Sequence, residues 1–263
     1  MIRITYVTIT YNAAAVLQPT LDSVLQQDYP HIVHLIIDGA STDDTLKLVD
    51  DYIARSNAAE NGHSVQVTSE PDKGIYDAMN KGLRSADGDY VCFLNAGDFL
   101  PSPDTVSKIV ATVNSQLSTV NSQLPAVLYG DTDIVDGEGR FLHHRRLAPP
   151  ENLTWRSFRQ GMLVCHQAFY ARTDFAIATP YDMQYRYSAD VDWCIRVMKA
   201  AEKENVPLLN LKMVVANYRQ EGQTTLHHRE SLLERYRVME HHYGRLQTLL
   251  LHSWFAVRAL FKH

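Results

Sequence analysis

Short apolar runs alternate with amphipathic stretches along the first hundred residues. Four runs are rich in β-branched or aromatic residues and predict buried strands at residues 4–10, 34–38, 64–69 and 89–94. The stretches between them repeat apolar residues at helical spacing, as in 75–84. Strands and helices that alternate at such short intervals indicate an α/β fold with a mainly parallel central sheet covered by helices.

The second half of the chain predicts further strands and ends in a helical tail. A strand begins at Val127, a hairpin-like turn falls at 136–139, a helix covers 190–203 and a late strand covers 208–218. We divide the chain into an α/β domain over 1–225, with halves of about 1–100 and 127–225, and a C-terminal tail over 226–263.

The tail combines apolar residues such as Trp254 and Phe255 with basic residues such as Arg258. This mixture is typical of a helix at a membrane surface, and equally of one that packs on its own domain or on a second copy of the chain in a homo-oligomer. The sequence leaves these three partners open. A repeated pentapeptide, Val-Asn-Ser-Gln-Leu at 113–117 and 120–124, indicates a surface insertion or helix extension.

Composition and charge narrow the class of protein. The chain has 263 residues, of which 45% are hydrophobic and 21% charged, which supports a sizeable core. The net charge of -5 argues against non-specific binding to nucleic acid. The three cysteines form no CxxC pair, so no zinc ribbon or disulfide framework is indicated. No apolar run is long enough for a membrane span, and the first residues do not resemble a signal peptide, so we expect a cytoplasmic location, with contact at the inner face of the membrane left open.

Polar clusters follow the predicted strands, where ligands of parallel sheets bind. Thr10 and Asn12 come after the first strand, and Asp38 ends the second. Neither a GxGxxG nor a GxxxxGK[ST] motif is present, which disfavours a Rossmann dehydrogenase and a P-loop enzyme. A small polar loop with an aspartate still suits a nucleoside, although Asn12 is equally suited to capping the next helix.

Two later clusters suit phosphate and metal. Gly74 permits close backbone approach at a helix N-terminus that favours anions, and Lys73 precedes it. Asp98 lies after the fourth strand, where one carboxylate together with water and diphosphate oxygens is a usual Mg²⁺ arrangement. Ordinary turn and capping chemistry is the alternative for both clusters.

Taken in order, the motifs TITYN, DGASTDDT, EPDKGIYDAMNKG, GDYVCFLNAGD and SADVDWCIR resemble those of the family 2 glycosyltransferases. More narrowly, they are similar to the bacterial branch that builds cell-surface polysaccharides such as colanic acid. The resemblance covers roughly residues 3–200. It implies a GT-A fold, inverting transfer from a UDP- or GDP-sugar to a saccharide or lipid-linked saccharide, and a need for Mg²⁺ or Mn²⁺.

The resemblance also assigns residues to the donor site. Asp98 is the implied metal ligand, and the expected nucleotide and donor contacts are Thr10, Asn12, Asp38, Asp72, Lys73 and Asn95. Asn95 departs from the family, which often has aspartate there, and this brings two-carboxylate metal binding into question. The loop after Tyr218, residues 219–225, matches loosely a flexible segment near the diphosphate.

The resemblance places the general base in the segment Ser188-Ala189-Asp190-Val191-Asp192-Trp193. Inverting transfer needs a carboxylate that takes the acceptor hydroxyl proton. Asp190 is the preferred candidate and Asp192 the second, while both also suit a helix N-terminus. A partly dry site is expected to raise the base's pKa.

Three further residues are expected on the acceptor side together with Asp192, and each has a structural alternative. His166 and Gln167 follow an apolar run in which a lone histidine is often a satisfied core residue. Trp193 suits stacking on a sugar face and also suits core packing.

The sequence therefore predicts a metal-assisted glycosyltransferase. A catalytically inactive homologue that acts as a binding or scaffold protein is the non-enzyme alternative, because Asn95 replaces a carboxylate. A nucleotidyltransferase also uses an α/β sheet, a metal and carboxylates, but usually carries a Gly-rich first loop that TITYNAAA lacks. A glycoside hydrolase needs two facing carboxyl groups and no nucleotide site, so the polar first loops disfavour it.

Overall fold

A mixed eight-stranded sheet lies at the centre of the molecule, as seen in a computed structural model that describes residues 1–119, 123–220 and 228–260. Its strands, in chain order, are β1 Ile4–Thr10, β2 Ile32–Asp38, β3 Ser64–Ser69, β4 Tyr90–Phe93, β5 Val127–Val135, β6 Phe141–His144, β7 Phe169–Arg172 and β8 Leu208–Arg219. The four strands predicted in the first half are present, with ends within two residues of the expected ones.

Eight helices accompany the sheet in the described part of the chain. They are α1 Ala14–Leu25, α2 Thr45–Ala59, α3 Ile75–Ser85, α4 Thr105–Thr119, α5 Thr173–Ala178, α6 Ala189–Lys203, α7 His228–Tyr243 and α8 Arg245–Leu260. Two short 3-10 turns, Trp155–Gln160 and His166–Ala168, precede β7. Helix α4 contains the first copy of the repeated pentapeptide, and the second copy begins outside the described residues.

The first half of the sheet is parallel, as the alternating pattern predicts. Its strands lie in the order β3-β2-β1-β4. In this register Thr10 pairs with Asp38, and Asp38 pairs with Ser69, so three strands end side by side. The polar residues after these strands therefore share one edge of the sheet, where the sequence placed the ligand.

The second half of the sheet is mixed. Strand β7 runs antiparallel between β4 and β5, and β5 forms the predicted hairpin with β6. Strand β8 then pairs in parallel with β5. Because β7 lies between β4 and β5, the 3-10 turn His166–Ala168 that leads into it lies close to the end of β4.

The capping of helix α1 differs from the expectation for Asn12. The N-cap residue is Ala13, and Asn12 itself has a left-handed φ of 47°. The N–H groups at the helix start are satisfied from the loop after β2 and from the first residue of α2. Thr45 Oγ1 accepts from Ala13 N at 2.8 Å, and Asp43 Oδ2 accepts from Ala14 N at 3.1 Å. The prediction that Asn12 caps this helix was therefore wrong, and the two loops support each other instead.

The tail is helical, as predicted, and α7 packs directly against α6. His242 Nε2 donates to Asp192 Oδ1 at 2.7 Å, and the rings of Tyr243 and Trp155 stack with centroids 5.6 Å apart. Gly244, with a φ of 84°, separates α7 from α8. Among the residues described, we find no helix that is both long and apolar enough to span a bilayer.

Candidate active site

The end of strand β2 carries a buried carboxylate that organises the neighbouring loops. Asp38 Oδ1 accepts from Thr10 Oγ1 at 2.9 Å and from Ser41 Oγ at 2.5 Å. Its Oδ2 accepts from Ser41 N at 2.9 Å and from Ser69 Oγ at 2.7 Å. Burial alone raises the pKa of Asp38, but these hydrogen bonds outweigh it and hold the pKa below the usual value. The carboxylate is therefore ionised and binds three strand ends together.

Asn12 lies at the exposed surface of the same cluster. Its backbone N–H donates to Ser41 Oγ at 2.8 Å, and its Oδ1 accepts from Thr42 N at 2.8 Å. These contacts fix the loop after β1 against the loop after β2. Thr10 and Asp38 lie beneath this surface, so Asn12 is the member of the predicted nucleoside set that faces solvent.

The loop after β3 reaches the same edge. A Cβ atom on Gly39 would lie only 2.5 Å from Asp72 Oδ2, so the glycine allows the Asp72 carboxylate to approach the end of β2. Asp72 Oδ1 also accepts from Gly74 N at 2.8 Å. Lys73 is exposed just before helix α3, and its backbone N–H donates to Asp77 Oδ2 at 3.0 Å. The predicted ribose and phosphate contacts thus border the nucleoside cluster.

Asp98 follows β4 and is almost completely buried, with an exposed fraction of 4%. Its Oδ1 accepts from the backbone N–H of Arg219 at 3.0 Å, and its Oδ2 accepts from Gln167 Nε2 at 2.8 Å. Burial raises the pKa of Asp98 to about 6, although both hydrogen bonds oppose that rise. The ionised carboxylate is therefore poorly compensated by the protein alone.

The turn that carries Asp98 suits a divalent ion held mainly by substrate. The amide oxygen of Asn95 is buried and has no hydrogen-bond partner among the described residues. The backbone N–H of Asp98 donates to the Asn95 carbonyl at 3.0 Å, which places both residues in one turn. Carboxylate and amide oxygens are the ligands that Mg²⁺ and Mn²⁺ prefer. Within the described chain no three acidic, histidine or cysteine side chains gather as a metal cage, so these residues fit an ion that takes its other ligands from a diphosphate and water.

A chain of hydrogen bonds connects this turn to Asp190. Asn95 Nδ2 donates to His166 Nε2 at 3.0 Å, and His166 Nδ1 lies 3.3 Å from Asp190 Oδ2. The hydroxyl of Tyr76, on helix α3, donates to Asp190 Oδ1 at 3.3 Å. These contacts are consistent with a neutral imidazole that accepts at Nε2 and donates at Nδ1. Asp190 therefore lies between His166, which contacts the turn that carries Asp98, and Tyr76 on helix α3.

The pKa of Asp190 moves opposite to the expectation. Burial tends to raise it, as the sequence predicted, but the hydrogen bond from His166 and the positive charge of Arg235 bring it below the usual value. The expected increase was therefore wrong. That expectation considered only the exclusion of water from the carboxylate and did not include a hydrogen bond from His166.

Two predicted acceptor-side residues lie away from this chain. Asp192 accepts from Arg196 Nε at 2.6 Å and from His242 Nε2 at 2.7 Å, and only 3% of its side chain is exposed. Trp193 is completely buried, and its ring stacks on Tyr181 with centroids 4.9 Å apart. In this structure both side chains hold helix α6 in place, whereas His166 and Gln167 contact the predicted base and metal ligand.

Some members of the site escaped the sequence reasoning. Tyr76 lies in the motif EPDKGIYDAMNKG, but nothing in the motif indicated that its hydroxyl meets a residue 114 positions later. Ser69 ends β3 and donates to Asp38, which the strand-end rule would have allowed. The predicted loop over 219–225 lies outside the described residues from Glu221 onward, while the backbone of Arg219 contacts Asp98.

Comparison with known sequences finds glycosyltransferases. The family model described as Glycosyl transferase family 2 matches residues 5–177. A PGL/p-HBAD biosynthesis glycosyltransferase from Mycobacterium bovis is 32% identical over 216 residues, which cover 81% of this chain and 75% of the relative. The putative teichuronic acid biosynthesis glycosyltransferase TuaG from Bacillus subtilis is 36% identical over 95 residues, or 36% of each chain.

Solved structures share the fold at low sequence identity. S. aureus TarS 1-349 in complex with UDP-GlcNAc has a TM-score of 0.68 at 18% identity, and the match covers 90% of this chain and 64% of that one. Mannosyltransferase PcManGT from Pyrobaculum calidifontis, in complex with GDP-Man and Mn²⁺, has a TM-score of 0.59 at 16% identity, covering 98% and 75%. This chain therefore spans less than two thirds of the TarS fragment, and these neighbours confirm the expected GT-A fold. Since the family model matches more than half of the chain and the Mycobacterium relative exceeds 30% identity over most of it, the chain belongs to glycosyltransferase family 2.

Proposed function

We propose that this protein is an inverting glycosyltransferase that moves a sugar from a UDP- or GDP-sugar to a hydroxyl group of a saccharide or lipid-linked saccharide. The proposal includes Asp190 as general base and Asp98 as ligand of a divalent metal ion. The observation that carries it is the hydrogen-bonded chain Asn95–His166–Asp190, which connects the turn suited to a metal diphosphate with a largely buried, ionised carboxylate.

The base step follows from the position of Asp190. One of its oxygens takes the proton of the acceptor hydroxyl while that hydroxyl's oxygen forms a bond to the anomeric carbon. The bond from that carbon to the diphosphate oxygen breaks with its electron pair, so the configuration inverts and the nucleoside diphosphate leaves. Tyr76 and His166 each contact one oxygen of Asp190 and hold the carboxylate in one orientation.

The low pKa of Asp190 has a consequence for this step. The carboxylate is already ionised at neutral pH, so it is ready to accept a proton, but it is a weak base. In the free protein Asp190 is thus a weaker base, but its charge and its orientation are fixed.

The leaving diphosphate requires positive charge. A Mg²⁺ or Mn²⁺ ion held by Asp98, with the Asn95 amide oxygen as a second ligand, would supply charge for the diphosphate when bound. Lys73 and the N-terminus of helix α3 lie at the same edge and favour phosphate groups as well. The Asp38 cluster, with Asn12 at its surface, suits the nucleoside.

The relatives and neighbours support the substrate class. One sequence relative is named a PGL/p-HBAD biosynthesis glycosyltransferase, and the neighbouring structures were solved with UDP-GlcNAc and with GDP-Man and Mn²⁺. We therefore extend to this chain a nucleotide-sugar donor and a role in polysaccharide or glycoconjugate assembly. The narrower likeness to colanic-acid enzymes, the acceptor, and contact with the cytoplasmic face of a membrane stay predictions.

The test is a thermal-shift panel of UDP- and GDP-sugars with and without Mn²⁺, followed by turnover of the donor that binds. We expect one nucleotide class to raise the Tm in a Mn²⁺-dependent way, because ligand that binds only the folded state stabilises it. Asp98→Asn should abolish the Mn²⁺ dependence. Asp190→Asn should keep donor binding and lower turnover by roughly 100-fold or more, the usual scale for loss of a general base.

Glu240→Gln on helix α7 is the matched control for loss of one acidic charge, since Glu240 contacts Arg245 at the surface. It should bind and turn over the donor like the parent chain. Full turnover by Asp190→Asn would contradict the assignment of the base. Metal-dependent binding by Asp98→Asn would contradict the assignment of the metal ligand.

A further inference from the structure

Helix α7 brings a carboxylate to the backbone that leads into helix α6. Glu234 Oε1 accepts from the N–H of Arg186 at 2.7 Å. Its Oε2 accepts from the N–H of Tyr187 at 2.5 Å and from the N–H of Ser188 at 2.6 Å. Successive backbone N–H groups that converge on one anion form the concave arrangement called a nest. Here the anion comes from the chain's own C-terminal region.

This nest lies directly before the proposed base. Ser188 is the N-cap residue of α6 and its side chain does not cap the helix, because its hydroxyl donates to the Ser231 carbonyl at 3.3 Å. Asp190 is the second residue of the helix. The backbone directions at Arg186 to Ser188 decide where α6 begins, and hence where the Asp190 side chain points. The carboxylate of Glu234 therefore fixes the backbone from which Asp190 extends.

A second feature of α7 acts on the same aspartate. Arg235, the residue after Glu234, contributes positive charge that helps lower the pKa of Asp190. Farther along the helix, His242 donates to Asp192 two residues beyond the base. Helix α7 thus holds the start of α6 from both sides of Asp190, through contacts that are independent of each other.

We infer that Glu234 is a positioning residue for glycosyl transfer, which holds the Asp190 carboxylate at the angle needed for the acceptor hydroxyl. The inference rests on the proposed function, because it takes Asp190 as the base. It also makes α7 part of the catalytic unit, although the family model ends at residue 177. The direct contacts of Asp190 with Tyr76 and His166 orient its side chain. Glu234 instead fixes the backbone at the start of helix α6, from which that side chain extends.

The chemistry of the nest predicts a graded response to substitution. Glutamate offers two oxygens, which serve three N–H groups here. Glutamine offers one oxygen and no charge, so it can satisfy part of the nest, and alanine satisfies none. A displacement of about 1 Å at a reacting group can lower a rate by the order of 100-fold. We therefore expect kcat to fall by roughly 10- to 100-fold in Glu234→Ala and less in Glu234→Gln.

The experiment uses the full chain with Glu234→Ala, Glu234→Gln and the control Glu240→Ala. Release of UDP from UDP-GlcNAc, or of GDP from GDP-mannose, is measured with Mn²⁺, using whichever donor the parent chain turns over. Amide hydrogen exchange is followed over residues 186–190. We expect Glu234→Ala to lower kcat with the donor KM unchanged and to speed exchange in this segment, while Glu240→Ala changes neither.

A double-mutant cycle separates positioning from general damage. If Glu234 acts through Asp190, Glu234→Ala should cause no further loss of turnover in the Asp190→Asn background. Equal losses in both backgrounds, parent-like turnover by Glu234→Ala, or a kcat that Glu234→Gln does not partly restore would overturn the inference. Full activity of Asp190→Asn alone would instead overturn the proposed function. If the parent chain released neither nucleotide, the proposed function would also fail, and unchanged amide exchange in Glu234→Ala would refute the role of Glu234 independently.

Discussion

Two largely buried carboxylates in this site have pKa values that move in opposite directions. Burial raises the pKa of Asp98 to about 6, since its two hydrogen bonds come from neutral donors. Asp190 is largely buried, with 17% of its side chain exposed, yet contact with His166 brings its pKa below the usual value. The two pKa values move in opposite directions because the hydrogen-bond partners differ, and at Asp190 the partners outweigh the effect of burial. Asp98 is the carboxylate that would gain most from a nearby cation, and Asp190 is the one that already carries a stable charge.

The pair of His166 and Asp190 gives a pH prediction. Replacing His166 with alanine removes the partner that lowers the Asp190 pKa, while burial remains, so that pKa should rise. Because the base must be deprotonated, the acid limb of kcat against pH should move to higher pH. We also expect kcat at its optimum to fall by roughly 10-fold, from lost orientation. His143→Ala, at an exposed histidine of β6, serves as control.

Measured pH profiles with saturating donor decide this prediction. An acid limb that stays in place, or moves to lower pH, would show that His166 does not stabilise the ionised base. The direction of the shift separates this role from acid catalysis by His166, whose loss would instead abolish the alkaline limb of the profile.

At the scale of elements, the parallel half of the sheet was predictable and the partners of its loops were not. Alternating apolar runs identified β1 to β4, and the carboxyl-end rule then placed Asp38 and Asp98 at one edge. Those inferences need only local pattern and a general rule of parallel sheets. Asn12 was misjudged as a cap because its real partner, Thr42, lies 30 positions away in another loop.

The same limit applies to the acceptor half. Nothing local distinguishes Asp190 from Asp192, since both lie in the first turn of α6. The structure separates them because a helix rotates successive side chains, so Asp190 meets His166 and Asp192 meets His242. Glu234 could not be assigned from sequence, because its three partners are backbone groups that carry no sequence signal.

A buried histidine joins helix α2 to the sheet and gives a stability prediction for these elements. His34 Nε2 donates to Thr8 Oγ1 at 2.9 Å, and Tyr52 donates to His34 Nδ1 at 2.8 Å. The Thr8 hydroxyl donates its own proton to the Leu94 carbonyl oxygen, so it must accept from His34 Nε2. This fixes the neutral tautomer of His34 with its proton on Nε2. Burial lowers the pKa of His34 to about 3.

The sign of the pH effect follows from linkage. Between about pH 3 and 6.5 the unfolded chain binds a proton at His34 that the folded chain does not, so stability is complete above this range and falls as the pH is lowered through it. From pH 7 to pH 5 the loss from this residue should be about 2 kcal/mol, at ~1.4 kcal/mol per pH unit below 6.5. His34→Gln should lower stability at pH 7 but reduce its pH dependence by about that amount. Urea unfolding at both pH values tests this, and an unchanged difference between them would refute it, with His143→Gln as control.

For the whole molecule, the question is whether the C-terminal helices form a separate tail. The sequence predicted a boundary at 225/226, and that boundary stays a prediction. The contacts of α7 argue that the helix belongs to the same folded body, because it partners Asp192 and the backbone before α6. Tyr243 also donates to the Trp155 carbonyl at 2.6 Å, which connects the end of α7 to the 3-10 turn Trp155–Gln160.

A chain that ends at Gln220 should therefore lose cooperative folding. It removes His242 from Asp192, which keeps Arg196 as a partner, so this loss stays below the roughly 3–5 kcal/mol of an unpaired buried charge. It also leaves the N–H groups of the nest without Glu234, at about 1–3 kcal/mol for each group that stays buried. Together these losses approach the roughly 5–15 kcal/mol that holds an ordinary domain folded. A chain that ends at Gly244 keeps all of α7 and should still melt cooperatively at a lower Tm. Circular dichroism melts and donor binding compare the two, and a 1–220 chain that melts and binds like the full protein would establish the tail as a separate unit and remove α7 from the catalytic domain.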